Sequence, residues 1–159
     1  MTTIQETNLP NPFHRGKVRD TYVIDDDLLL MVATDRISAF DVVLPTAIPE
    51  KGVVLCQMSE FWFEKTSHIV PNHLVGMATE HWYPSLPPQV ARRSMVVKKA
   101  SRIDAECIVR GYITGSAWAE YRRLGTVSGQ EVPSGLREGD RFPAPMFTPT
   151  TKAEVGHDE

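Results

Sequence analysis

Residues 18–34, VRDTYVIDDDLLLMVAT, constrain the fold more than any other stretch. Two runs of β-branched, aromatic and aliphatic residues, 18–24 and 28–34, flank Asp25, Asp26 and Asp27. Such runs on either side of a short polar break read as an antiparallel hairpin closed by an acidic turn. The longest clean apolar run, LLLMVA, is far too short to span a bilayer.

After a short strand at 42–44 and a loop over 45–52, the apolar period changes. Val54, Leu55, Met58, Phe61, Trp62 and Ile69 fall on one helical stripe, which predicts a helix over 53–69 ended by Pro71. Residues 74–79, 94–100 and 105–114 read as further strands, separated by the YPSLPP stretch and by a link at 101–104. Ser116 suits the N-cap of the helix AWAEYRRL, and Gly125 its C′ position. Strands with interspersed helices make an α+β domain of residues 1–125. Residues 126–159 are rich in Pro, Gly and charge and show no sustained period of 2 or 3.6. A structureless run of that length signals a functional loop, disorder or an absent packing partner.

At 159 residues the chain is long enough to bury a core without disulfides or metals. Its 20 acidic and 17 basic residues give a formal net charge of -3. That balance disfavours nucleic-acid or membrane-surface binding through a broad basic field, so any anion site has to be local. Cys56 and Cys107 form no CxxC pair and read as buried thiols in a reducing compartment. MTTIQETNLPNPF at the N-terminus has neither a basic n-region nor an apolar h-region, which predicts a soluble, cytoplasmic chain.

Four segments carry candidate chemistry. In RGKVRDTY, Gly16 permits close backbone approach, and Lys17 and Arg19 at i and i+2 share one side of the emerging strand. Cations beside a glycine turn suit a polyphosphate, although a plain hairpin turn accounts for the same residues. ATDRISAFD places Asp35, Arg36, Ser38 and Asp41 at a strand end, as ligand groups or as a self-contained Asp–Arg pair. ECIVRGYITGS sets Arg110 in mid-strand, where a guanidinium needs an anion, and follows it with Thr114, Gly115 and Ser116 at a helix start that accepts phosphate or carboxylate. An internal Arg–Asp or Arg–Glu bridge with an ordinary Ser cap is the alternative. MVVKKASRIDAE, with Lys98, Lys99 and Glu106, offers backbone donors for a flat base and a carboxylate for a ribose hydroxyl, or is simply a charged strand end.

In this order and spacing, GKVRDTY, ATDRISAFD, ECIVRGYITGS and FTPTTKAEVGHDE resemble the phosphoribosylaminoimidazole-succinocarboxamide synthase (SAICAR synthetase) family. CIVRGYITGS is the most specific of the four. The likeness covers the whole chain and corresponds to about the first half of longer members. One departure is local: Asp104 and Ala105 stand where the family usually places a proline and a branched apolar residue before the glutamate.

The resemblance implies a twisted, mainly antiparallel sheet with packed helices, then the start of an incomplete ATP-grasp-like second domain in residues 126–159. It implies an ATP-dependent ligase of purine synthesis that joins L-aspartate to carboxyaminoimidazole ribonucleotide through an acyl phosphate. Gly16, Lys17, Val18 and Arg19 would cover the ATP phosphates, with Lys98 and Glu106 near the adenosine. Asp35, Arg36 and Ser38 would lie near the ribonucleotide, and Arg110 with Ser116 would hold its 5′-phosphate or a neighbouring carboxylate. Lys152 and Asp158, beside His157 and Glu159, would meet the reacting groups as catalytic residues. ATP and Mg2+ are the implied cofactors. No metal ligand is assigned within the 159 residues, because the family's Asp-x-Lys-x-Glu-Phe-Gly stretch does not occur in them. The chain is therefore expected to be an incomplete, inactive form, with small molecules as partners, no nucleic acid, no membrane, and room for a homo-oligomer. A non-catalytic nucleotide-binding module is one alternative, and a regulatory domain contacting RNA through Lys17, Arg19, Arg92, Arg93, Lys98 and Lys99 is another.

Overall fold

The computed structural model describes residues 3–40 and 42–151, and the chain divides into two compact units between Ser101 and Arg102. In chain order the first unit contains β1 (Pro12–Arg15), β2 (Arg19–Val23), β3 (Leu28–Ala33), β4 (Ser38–Ala39), β5 (Val42–Val43), α1 (Lys51–Thr66), β6 (Leu74–Met77), α2 (Pro88–Ala91) and β7 (Ser94–Lys98). Five strands form an antiparallel sheet in the order β1-β2-β3-β7-β6, and β4 pairs with β5 separately. The expected hairpin is β2–β3, with Tyr22 opposite Leu30. Asp25 closes its turn by accepting hydrogen bonds from the Asp27 and Leu28 N–H groups at 2.9 and 2.8 Å. β1 lies at the sheet edge, where Pro12 is tolerated, and its register shifts between Pro12 and His14.

β3 is an unbroken apolar run because both of its faces are covered. Leu28, Leu30 and Val32 join Tyr22, Leu86, Val90 and Val96 on one face, while Leu29, Met31 and Ala33 join Cys56, Met95 and Val97 on the other. Leu30, Val32 and Val96 are fully buried, each side chain contributing about 1.5–3 kcal/mol by transfer from water.

Helix α1 turns a different face to the sheet from the one its apolar stripe predicts. Gly52, Val53 and Cys56 are buried, and Phe63 packs against the same cluster. Val54, Leu55, Met58, Phe61 and Trp62 stand 43–56% exposed, and Ile69 lies beyond the helix end. The cause is at Gly52, which brings the helix start against the Ala33 carbonyl and fixes the rotation that follows. YPSLPP, read as punctuation, ends in the short helix α2 with proline at its first position.

The second unit contains β8 (Ala105–Glu106), β9 (Val109–Tyr112), α3 (Gly115–Leu124), β10 (Thr126–Val127), β11 (Gln130–Glu131), β12 (Arg141–Phe147) and β13 (Thr150–Thr151). The strand expected over 105–114 is broken at Cys107 and Ile108, because its two parts have different partners: β8 pairs with β13 and β9 with β12. Cys56 is buried as expected, whereas Cys107, at that break, is exposed. Residues 126–151 are not structureless. Val127 and Phe142 are buried with Ile113 and Ala117, and Trp118, Tyr121, Leu136 and Met146 pack around them. Both prolines of β12 fall where its register against β9 shifts, so their missing donors interrupt no regular ladder. This shared core is why the division precedes residue 105 rather than following residue 125.

Candidate functional site

Each unit holds a concave site that gathers residues from the segments singled out above. In the first, β1 and β2 are joined by the turn 16–18, closed by the Gly16 N–H donating to the Arg19 carbonyl at 2.8 Å. Beneath it lies a cavity of about 100 Å³ lined by Val18, Arg19, Met31, Ala33, Lys51 and Met95, among others. Its lining combines apolar and thioether surface with two cations, as small-molecule pockets join a largely apolar wall to a few polar groups. Arg19 donates to the Met31 sulfur at 3.6 Å and has no carboxylate partner among the described residues. Burial lowers the Lys51 ammonium below its usual range; nearby Asp35 opposes that shift and Arg19 adds to it. Lys51 was not among the residues picked out by sequence, although its place between Pro49 and Gly52 at a helix start was visible.

Asp35 and Arg36 do not pair with each other. Asp35, at 0% exposure, accepts from Arg93 Nη1 at 2.6 Å, from the Ile4 N–H at 2.8 Å and from the Gly52 N–H at 2.9 Å. Burial pushes its carboxyl up, but these three bonds outweigh burial and hold it below the ordinary carboxylate value. Arg36 pairs with Asp20 at 2.8 Å and donates to the carbonyls of Gly16 at 2.9 Å, of Lys17 at 3.0 Å and of Gln5. Asp20 also accepts from the N–H and hydroxyl of Thr7 and is lowered in the same way, against burial. Asp35 and Arg36, two of the three residues of this segment expected near the ribonucleotide, are thus committed to internal bonds. Ser38 lies on β4 opposite Val43. Lys98 is exposed at the end of β7, its backbone N–H bonded to the His73 carbonyl at 2.8 Å. Glu106 belongs to the second unit, on β8 opposite Thr150. Lys152 and Asp158, with Asp41, His157 and Glu159, lie outside the described residues.

The site of the second unit is sharper. Arg110 leaves β9 with Nη2 donating to the Ser116 hydroxyl and Nε to the Thr148 hydroxyl, both at 3.1 Å. Among the described residues no carboxylate pairs with it, so the partners that hold it there are hydroxyls and not the Asp or Glu of an internal bridge. Ser116 is not the N-cap of α3. Thr114 is, with extended backbone and no side-chain cap bond, and Gly115 follows at φ 58°, a conformation that favours glycine. The Ser116 hydroxyl is thereby turned toward the guanidinium at the positive end of the helix. These groups line a cavity of about 300 Å³ with Glu120, Ser128, Pro149 and Thr150. Thr148, within the FTPTTK segment, is a second residue, after Lys51, that sequence reasoning missed. The Glu120 carboxylate is held low first by the Gly129 N–H, and then by the Thr126 hydroxyl and Ser128 N–H. The cavity therefore has a cationic end that draws an anion and an anionic end that repels one, which orients an asymmetric ligand.

The described residues contain no group of three or more His, Cys, Asp or Glu side chains able to hold a metal ion, and no helix long and apolar enough to cross a membrane.

Known proteins resemble this chain in sequence and in fold. The SAICAR synthetase family model matches residues 12–159. The phosphoribosylaminoimidazole-succinocarboxamide synthase of Halorhodospira halophila is 55% identical over 148 residues, covering 92% of this chain and 50% of that protein. A SAICAR synthase from Saccharomyces cerevisiae, solved in complex with SAICAR, is 49% identical with a TM-score of 0.87, covering 96% of this chain and 55% of that one. A type-2 SAICAR synthetase in complex with ADP is 26% identical with a TM-score of 0.68, covering 91% and 52%. The chain spans about half the length of the curated relatives it matches. With a family match over nearly all of its length, and with Arg110, Ser116 and Thr148 gathered from two of the segments that carry the resemblance, the chain belongs to the SAICAR synthetase family.

Proposed function

We propose that this chain carries nucleotide- and ribonucleotide-binding parts of an ATP-dependent ligase that joins L-aspartate to carboxyaminoimidazole ribonucleotide. In this reading a carboxylate oxygen of the ribonucleotide takes the γ-phosphoryl group of ATP, releasing ADP. The aspartate amine then attacks the acyl carbon and expels phosphate as the C–N bond forms, losing a proton to solvent. The reactants are all anions, so cations set at separate points of an acidic protein cancel charge where each ligand lies.

Arg110 carries the proposal: a guanidinium with hydroxyl partners and no carboxylate among the described residues, beside a helix start, on a cavity of about 300 Å³. A phosphate there would take charge-assisted bonds from Arg110 and a hydrogen bond from Ser116 or Thr148. Glu120 would turn the uncharged part of the ligand toward its own end. In the first unit, the turn 16–18 and Arg19 would receive the triphosphate, and the cavity, too small for a whole nucleotide, would hold one end of it. Mg2+ belongs to this reading as a phosphate-bridging ion, but the described residues do not form a site for it, and no step here is routed through it. The reading further takes the second unit as the beginning of an ATP-grasp-like domain and the protein as a cytoplasmic enzyme acting on small molecules.

The test is calorimetric titration of the chain with carboxyaminoimidazole ribonucleotide and with the corresponding nucleoside. Arg110→Lys keeps the charge but loses the planar fork. It should weaken the ribonucleotide about tenfold, the equivalent of ~1.4 kcal/mol, and leave ATP and the nucleoside unchanged. Equal affinity of variant and wild type for the ribonucleotide would refute the assignment.

A further inference from the structure

We infer that Arg36 is a positioning residue for the triphosphate, setting the backbone of the turn 16–18 rather than touching the ribonucleotide. This rests on the nucleotide reading of that turn. The observation is the direction of two carbonyls. Arg36 Nη2 takes the Gly16 oxygen at 2.9 Å and Nε takes the Lys17 oxygen at 3.0 Å, so two successive peptide units aim their C=O groups at one guanidinium.

A trans peptide is planar, and its N–H points opposite to its C=O. The N–H groups of Lys17 and Val18 are therefore both aimed away from Arg36, toward one side of the turn. Successive N–H groups facing one way form the concavity by which backbone binds phosphate oxygens. Gly16 completes the geometry without needing a special conformation: a Cβ there would meet only the Arg19 oxygen at 3.5 Å and the His14 ring at 3.6 Å, ordinary contacts. The order of the turn thus comes from Arg36 more than from the glycine.

Arg36 is itself fixed from three sides. Asp20 Oδ1 holds Nη2 at 2.8 Å, the Gln5 carbonyl takes Nη1, and Asp20 Oδ2 is held in turn by the Thr7 N–H and hydroxyl at 2.9 and 2.8 Å. Every nitrogen of the guanidinium has an acceptor, and the side chain is 11% exposed. Four of its five N–H donors are thus used within the protein, which leaves a single Nη1 hydrogen and no bidentate fork for a ligand. The residue is spent on the loop, and its chain neighbour Asp35 is spent on α1 and Arg93.

The experiment compares ATP and adenosine on wild type and Arg36→Lys by titration, with thermal unfolding as the check on folding. Lysine keeps the charge facing Asp20 but cannot serve four acceptors in three directions. ATP, which uses the turn, should bind at least ~10-fold more weakly. Adenosine, which has no phosphate, should keep its affinity within about twofold. If Arg36→Lys does not fold, Arg36→Gln, which reaches at most one of the two carbonyls, takes its place with the same expectation. Parallel losses for both ligands would mean a merely structural role and overturn the inference, as would unchanged ATP affinity. Failure of the wild-type chain to bind ATP at all would overturn the nucleotide reading, and this inference with it, before any variant is made.

Discussion

Replacing Gly52 by alanine is the most severe small change this structure offers. Gly52 is the second residue of α1, buried, with its N–H donating to Asp35 at 2.9 Å. A Cβ on it would lie 2.1 Å from the Ala33 oxygen, 2.8 Å from the Ala33 carbonyl carbon and 2.7 Å from Arg93 Nη1. Real Cβ contacts essentially never fall below 3.0 Å, and the first two neighbours are backbone of a central strand. The helix start has to withdraw from β3 by about 1 Å, which takes the Gly52 N–H away from Asp35 and strains the buried Asp35–Arg93 pair at 2.6 Å. Overpacking alone costs about 1–3 kcal/mol, and loss of a partner in a buried ion pair costs about 3–5 kcal/mol. Partial loss of the pair on top of the overlap places Gly52→Ala at roughly 3–5 kcal/mol, which at about 4–8 °C per kcal/mol for a unit of this size lowers Tm by at least ~12 °C. Circular dichroism on heating measures it. Gly76→Ala is the control, since a Cβ at Gly76 meets nothing within 4 Å. A Gly52→Ala chain melting within 3 °C, on the order of 1 kcal/mol or less, of the Gly76→Ala chain would refute the close-approach argument.

Two further outcomes follow from the same contacts. Burial, then the nearby Glu60 charge, pushes the Cys56 thiol up to about 11, while Cys107 is exposed. Iodoacetamide at neutral pH should therefore alkylate Cys107 alone until the chain is unfolded, and mass spectrometry showing early modification of Cys56 would contradict the packing of α1. The Asp20 and Asp35 carboxyls, pushed up by burial but held down more strongly by their hydrogen bonds and arginine partners, stay below their ordinary value of 3.8. Because the unfolded chain takes up those protons first, their stabilisation is complete above that value and drains away as pH falls through and below it. A Tm that is flat near neutrality and drops below about pH 4 is expected, and one unchanged down to about pH 2.5 would contradict the two buried pairs.

What the sequence made legible was local. The β2–β3 hairpin rests on two apolar-rich runs around an Asp turn, and the Arg110–Ser116 contact needs only a strand, a glycine and one helical turn. What it hid was set at long range. Asp35 and Arg36 look like each other's partners, but Arg93 and Asp20 reach them through the sheet and the turn. α1 carries two apolar stripes, and the larger one faces out because a glycine at the other face allows the closer approach. Periodicity weighs side chains and cannot weigh a missing one. Residues 126–151 defeat pattern reading for a related reason: three of their four strands are two residues long, too short to show a period of 2, and the fourth contains two prolines. Their order comes from Val127 and Phe142 closing on α3, a contact no local window contains.

The strand order also sets a timetable for synthesis. β3 is central in the sheet, but of its two neighbours only β2 precedes it; the other is β7, whose Val97 pairs with Leu29 and whose Met95 pairs with Met31. At about 5–20 residues per second, a ribosome needs roughly 3–14 s between making the two strands. Throughout that interval the nascent chain presents LLLMVA with one backbone edge unpaired, a template for intermolecular pairing. α1 is made in the same interval but covers one face and leaves the edge open. Slowing translation between codons 34 and 93, with no change in any amino acid, should therefore lower the soluble yield of this chain, and slowing it after codon 98 should not.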